Sequence, residues 1–306
     1  PEHATAPATP AAGKVAVYGK ASGRIFMKDA AGREYSLNDL DPGICDFRLS
    51  LTSGEPVMTS DVTGTTLYMT PFNGNRIALY NTTESVWDVL ASAELSLALS
   101  GLTAGRNYDV FAYNNGGAAA FEILVWTNDT TRATAIAFQD GVPCRSGDLS
   151  RRLVGSFRAL SATQIEWKLG GTGAGGAAAS LGIWHANPKV RVPVRGVVRD
   201  STDSWTYAVT AWRAANNSGG MRVNLLDGDG SLFAEAVYHQ NNYGGTGSQA
   251  SNGIGLDSTS VLAAKATAAF GGTAVLGPGT SLFAGPIGLG WHFLQALEAR
   301  YAGANA

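Results

Sequence analysis

Few residues in this chain are placed to do covalent chemistry. The 306-residue sequence holds 4 histidines, His3, His185, His239 and His292. None of them stands at the HxH, HxxxH or HExxH spacing that lets two imidazoles share a metal ion. His185 and His292 follow Trp184 and Trp291 in matching Trp-His pairs. Such pairs read as two imidazoles near one surface or, in the preferred reading, as separate half-buried rings satisfied by backbone. A serine nucleophile needs a GxSxG-type elbow, which is missing, and Ser180 and Ser281 sit in apolar or Gly-rich text without an acid and base beside them. Acyl transfer is not expected.

Paired carboxylates could cleave a glycoside. Asp227, Asp229 and Glu235 cluster in sequence, and Glu122 and Glu166 fall inside strand-like runs. The text DGDG is also what a β-turn looks like, and Asp227 and Asp229 lack the further acidic ligands of a Ca²⁺ loop. No metal, cofactor or catalytic residue is therefore assigned. The 2 cysteines, Cys45 and Cys144, lie far apart with no CxxC, and the preferred reading is two buried free thiols rather than a disulfide.

Non-covalent recognition is better represented. Tyr238, His239, Gln240, Asn241, Asn242 and Tyr243 precede Gly244-Gly245 in what reads as a loop. Aromatic faces pack on the C–H surfaces of sugars, and amides donate to and accept from hydroxyls, so this stretch is the candidate glycan site. Asn73, Asn75, Asn114 and Asn115 stand at predicted hairpin tips, where turn geometry alone favours Asn. Of the 7 tryptophans, Trp126, Trp167, Trp205 and Trp212 are expected to fill the core from alternating strands. Trp184 and Trp291, with Tyr18, Phe26 and Tyr35, are candidates for a subunit interface.

The elements that must carry these side chains read as strands. Only 15% of residues are charged, Gly reaches 39 and the net charge is -2, with no Lys/Arg block of the kind nucleic acids or membrane surfaces attract. No apolar run approaches bilayer-spanning length, and the first residues lack a signal-peptide pattern, so a soluble chain is expected, with no membrane insertion. Residues 1–13, rich in Pro, Ala and Thr, read as a flexible arm. Residues 14–44 hold three short strands, at 15–18, 24–28 and 34–37, too small to close a core without a partner. Residues 67–80, LYMTPFNGNRIALY, read as a β-hairpin turning at Asn73-Gly74. Alternation continues through residues 45–160 as an antiparallel sandwich or barrel, with 85–93 irregular. Residues 169–181, LGGTGAGGAAASL, read as a linker, the alternative being close backbone approach around an oligomer axis. Residues 161–306 resume strand patterning, including SWTYAVTAWRAAN, and form a second β-rich domain that could be a receptor-binding head.

The text from Pro10 through Tyr18-Gly19-Lys20, Lys28-Asp29 and Gly32 to Leu37 resembles a small β-repeat of tail-fibre and spike proteins of tailed bacteriophages. LYMTPFNGNRIALY, LSLALSGLTAGRNYDVFAYNNGG and WTNDTTRATAIAFQDGVPCRSGDLSRRLVGSFR resemble a domain of phage tail-fibre and head-fibre proteins, as do pieces at 200–207 and 253–259. The resemblance implies an all-β, jelly-roll-like virion protein: a fibre or spike on the tail or head exterior, assembled in the host cytoplasm. Such a protein would be a homo-oligomer, a trimer or else a pentamer, with a short N-terminal oligomerisation segment that also meets other virion proteins. It would adhere to a host-surface glycan. Alternatives are a capsid decoration or tail-assembly protein with no receptor, and a capsule depolymerase.

Overall fold

The computed structural model describes residues 2–3, 5–20, 23–36, 41–243, 249–270 and 276–301. The protein is all-β, and among the described residues the only helical turns are short 3-10 segments at Pro188–Val190 and Ala215–Asn217.

In the first half, a 3-stranded antiparallel sheet in the order 95–98, 66–71, 47–50 lies over a 6-stranded sheet in the order 118–125, 107–115, 148–158, 142–145, 136–139, with 183–185 also paired to 148–158. Phe47, Leu49, Leu67 and Met69 from the smaller sheet meet Val110, Ala112, Val154 and Phe157 from the larger one in the main core. Alternation alone would put Val154 and Phe157 on opposite faces. A register shift between Val110 and Phe111 makes the difference: Val110 pairs with Gly155 and Phe111 with Leu153, so Val154 is the extra residue of a bulge. Strict alternation resumes on either side, and Leu153 turns with Phe111 into a second cluster beside Trp184 and Leu226.

The second half centres on an 8-stranded sheet in the order 269–270, 249–256, 290–301, 222–227, 179–181, 165–168, 62–64, with 213–214 joined to 290–301. The ribbon Phe233–Tyr243 and Leu276–Pro286 packs upon it, closing a core around Tyr238, Ile254, Phe283 and Leu294. This sheet runs across residue 160, because Ile165–Lys168 pairs with Val62–Gly64 from the first half.

Several expectations are corrected here. Residues 67–80 are not a hairpin. Thr66–Pro71 pairs with Phe47–Ser50 and Leu95–Ala98, whereas Arg76–Asn81 pairs with Val86–Ala91 in a separate ribbon, which also makes the supposedly irregular 85–93 a strand. Pro71 to Asn75 instead turns a corner between sheets around Asp46. The Asp46 carbonyl accepts from the N–H groups of Phe72 and Asn73, and the Asp46 N–H donates to the Arg76 carbonyl. A Cβ at Gly74 would stand 2.6 Å from an Asp46 carboxylate oxygen, so glycine is needed there for close approach as well as for turning.

Residues 169–181 are not a free linker. Thr172–Gly173 pairs with Arg199–Asp200, and Ala179–Leu181 is an inner strand of the 8-stranded sheet. A Cβ at Gly170 would come within 2.4 Å of the Val197 carbonyl. The small residues therefore serve close backbone approach within one chain.

The SWTYAVTAWRAAN stretch forms no strand before Arg213–Ala214. The strand Gly290–Tyr301, against which it lies, already pairs with 222–227, 213–214 and 249–256. The stretch is held there by the Arg300 N–H donating to the Val209 carbonyl and by side chains, with Trp205 Nε1 and Arg213 both donating to the Glu298 carboxylate.

At the N-terminus, Glu2–His3, Ala16–Lys20, Ile25–Lys28 and Glu34–Ser36 form a 4-stranded sheet in chain order. Glu2–His3 returns parallel to Gly19–Lys20, and Lys28 Nζ donates to the Pro7 carbonyl at 2.9 Å, so the arm lies along this sheet rather than free of it.

Candidate binding surfaces

The predicted glycan loop is a strand. Tyr238 to Tyr243 pairs residue by residue with Ser281 to Leu276, and the pleat sends successive side chains to opposite faces. Tyr238 points inward into the core of the second half, its hydroxyl donates to Gln240 Oε1, and burial pushes its pKa far up. It cannot stack on a sugar. His239 and Asn241 face outward, and His239 Nδ1 shares a 2.8 Å hydrogen bond with the Thr280 hydroxyl. The side chains of Asn242 and Tyr243, and residues 244–248 after them, lie outside the described residues. The outer face of this ribbon also exposes Phe233, Val237 and Leu282.

The interface candidates divide. Trp184 is buried against Gly228, where a Cβ would meet its ring at 2.2 Å, and Arg191 lies 4.8 Å from the ring centroid. Trp291 is half-buried, with Arg158 5.1 Å from its ring centroid. Gly228 leaves room for the Trp184 indole, which is buried within the chain and so is not presented to a subunit interface, whereas Trp291 stays half-buried. Tyr18 and Phe26 are likewise buried, stacked at 6.0 Å on the inner face of the N-terminal sheet. Tyr35 does not follow them. It is 42% exposed on the other face, with Val15 at 57%, Val17 at 61% and Ile25 at 48%, and Val17, Met27 and Tyr35 stand directly opposite one another across three strands.

The titratable groups are engaged within the fold. His185 is buried, and because a carbonyl only accepts, its Nε2 donates to Leu49 O at 3.2 Å; burial holds its pKa down to about 3. His292 Nδ1 lies 2.7 Å from the Asp257 carboxylate. Asp227 accepts from the N–H groups of Asp229, Gly230 and Leu232, which makes DGDG a turn nucleus. Asp229 pairs with Arg191, Glu122 with Arg145 and Arg151, and Glu166 with Lys168. Cys45 and Cys144 are free and buried. No group of three or more metal-ligating side chains gathers among the described residues.

A concave polar surface lies elsewhere, and no short sequence window contains it. An open cleft of about 310 Å³ is lined by Tyr80, Asn81, Thr82, Asp88, Asn114, Gly116, Gly117 and Ser150. Tyr80 and Asn81 end one strand of the 76–81/86–91 ribbon, with the Tyr80 ring tilted on Trp87 at 5.3 Å. Asn81 Oδ1 accepts from the N–H groups of Thr83 and Glu84, and its Nδ2 donates to Asp88 Oδ2 at 3.1 Å. The other Asp88 oxygen is ion-paired with Arg24 of the N-terminal sheet.

Opposite stands the 107–115/118–125 hairpin. Its loop residues Gly116 and Gly117 have φ of 63° and 96°, the left-handed pair that a two-residue reversal requires. Asn114 Oδ1 accepts from the Gly117 N–H at 2.7 Å, leaving its amide nitrogen for a ligand. Ser150 supplies a hydroxyl that donates to Asp148 and accepts from Arg151. Sequence reasoning had assigned Asn114 to turn geometry, which it does serve, and carried no signal for Tyr80, Asp88 and Ser150, which are distant in sequence. No protein-family model, curated protein or solved structure matches this chain.

Proposed function

We propose that this chain is a virion structural protein of a tailed phage or phage-like particle, a fibre or spike that attaches and self-associates through its N-terminal sheet and displays its β-layers outward to a host-surface glycan. The observation that carries this reading is the apolar outer face of that sheet. Val17, Ile25 and Tyr35, with Val15 just before the second strand, are exposed together on strands of two to five residues, while Tyr18 and Phe26 on the opposite face are already buried. So small a sheet, with no further strand paired to either edge among the described residues, is incomplete as a folding unit. The occupant proposed for the face is the same sheet of a further copy, in a trimer, since apolar β faces of equal pleat bury one another without unpaired charges. The phage resemblance of residues 10–37 and 67–158 points the same way.

Light scattering on the full chain, on a variant lacking residues 1–44 and on Val17→Asp tests it. A multiple of the chain mass for the full chain, reverting to one chain in both variants, is the expected result. A full-length monomer, or an oligomer unchanged by both variants, would refute the assembly reading.

A further inference from the structure

We infer that the cleft between Tyr80 and Asn114 binds one neutral hexose or N-acetylhexosamine unit of a surface polysaccharide. This rests on the adhesive reading above and gives it a place: the middle of the molecule rather than the 238–243 strand.

The chemistry is local. Half-buried Tyr80 borders the cleft with its ring held against Trp87, so an aromatic side chain of fixed orientation stands beside a bound sugar at little entropic cost. Asp88 has one carboxylate oxygen on Arg24 and the other on Asn81. A carboxylate has about four acceptor positions, so it can still take hydrogen bonds from two neighbouring hydroxyls. From the facing hairpin tip, the Asn114 amide nitrogen donates, and Ser150, whose proton goes to Asp148, keeps one acceptor position. Fixed acceptors and a donor around an open cleft bordered by an aromatic side chain suit a polyol better than an apolar ligand.

Charge decides against an acidic sugar. The cations nearest the cleft are already engaged, Arg24 by Asp88 and Arg151 by Glu122 and the Tyr113 ring, 4.0 Å away. A uronate, sialate or phosphate would face Asp88 with no free cation to neutralise it. The volume of about 310 Å³ is at the small end of ligand sites, so one unit is held while its neighbours in the polymer remain in solvent. Affinity per cleft is correspondingly weak, and linked copies of the chain would multiply it.

Saturation-transfer NMR of the full chain with methyl glycosides of neutral hexoses and N-acetylhexosamines, alongside glucuronate and N-acetylneuraminate, provides the test. At least one neutral sugar is expected to bind with Kd on the order of 1 mM. Tyr80→Ala should weaken it at least about tenfold and Ser150→Ala about threefold to fivefold, while His239→Ala on the far ribbon leaves it unchanged. Should Tyr80→Ala lose its β circular dichroism, Ser150→Ala decides. Absence of saturable binding by every neutral sugar, binding confined to the acidic pair, or binding insensitive to Ser150→Ala but lost in His239→Ala overturns the assignment. Failure here is separable from failure of the assembly reading: a chain that self-associates through Val17 yet binds no neutral sugar refutes only the cleft, and a monomer that binds sugar refutes only the assembly.

Discussion

Asp109 is the residue whose removal should be felt furthest. It is 2% exposed, and Arg132 meets it with two hydrogen bonds, Nε to Oδ2 at 2.7 Å and Nη2 to Oδ1 at 3.0 Å. The Ser156 hydroxyl donates to Oδ1 at 2.7 Å, Arg132 Nη2 donates to the Gly228 carbonyl at 2.6 Å, and the guanidinium lies 4.4 Å from the Trp126 ring centroid. One ion pair thus joins the 107–115 strand of the first half to the DGDG turn of the second. Asp109→Ala leaves Arg132 charged and largely out of water, so the loss expected is that of breaking a buried pair, about 3–5 kcal/mol. Arg132→Met also gives up the bond to Gly228 and should cost a similar amount. In the double variant Asp109→Ala/Arg132→Met no charge is stranded, and its cost should fall short of the sum of the single changes by about 2–3 kcal/mol. Urea unfolding followed by tryptophan fluorescence measures each corner of the cycle, Trp126 lying against the guanidinium. Single variants within about 1 kcal/mol of the parent, or strictly additive effects, would show that the pair does not hold the two halves together.

His185 gives a pH dependence of defined sign. Its pKa is about 3 in the folded chain against an ordinary 6.5, so below about pH 6.5 the unfolded chain takes up a proton that the folded chain refuses. Its contribution is complete above pH 6.5 and falls by up to about 1.4 kcal/mol per unit down to about pH 3; in His185→Gln, urea midpoints should lose that slope. At Gly155, a Cβ would reach 2.3 Å from the Trp184 carbonyl and 2.7 Å from Leu49 Cδ1, so Gly155→Ala is expected to lower the melting temperature through a loss of about 1–3 kcal/mol. Burial pushes the Cys144 thiol up to about 11 and raises Cys45 as well. A thiol reagent at pH 8 should therefore modify neither cysteine in the native chain and both in urea; rapid native modification would contradict the packing of the first half.

Strand-forming text was legible because its cause is local. Phe47, Leu49 and Leu51 alternate and are all buried, and the N-terminal strands fall within a residue or two of their predicted bounds. Partnership was not legible, because it depends on what lies across the sheet. Asn73-Gly74 has the composition of a hairpin tip, yet the hydrogen bonds that shape the corner come from Asp46, well before it in the chain. The DGDG turn was read correctly because Asp227 binds the N–H groups two to five residues on, within reach of any sequence window.

The same distinction explains why the 238–243 stretch does not form a convergent surface. Tyr238 to Tyr243 has the right composition in a row, but a row of residues on a strand is divided by the pleat between two faces, and the aromatic ring at 238 went to the core. A cleft needs side chains that converge, which contiguous residues of one strand cannot do. Tyr80, Asp88, Asn114 and Ser150 converge because two ribbons and a central strand end side by side, and those ends are fixed by elements with no sugar chemistry of their own: the left-handed Gly116-Gly117 loop and the Asn81-capped turn before Val86. Composition identifies a sugar-binding kind of residue. The register of the sheets decides which of those residues face the same ligand, so in an all-β chain a binding site is better sought among strand ends that meet than among clusters in the text.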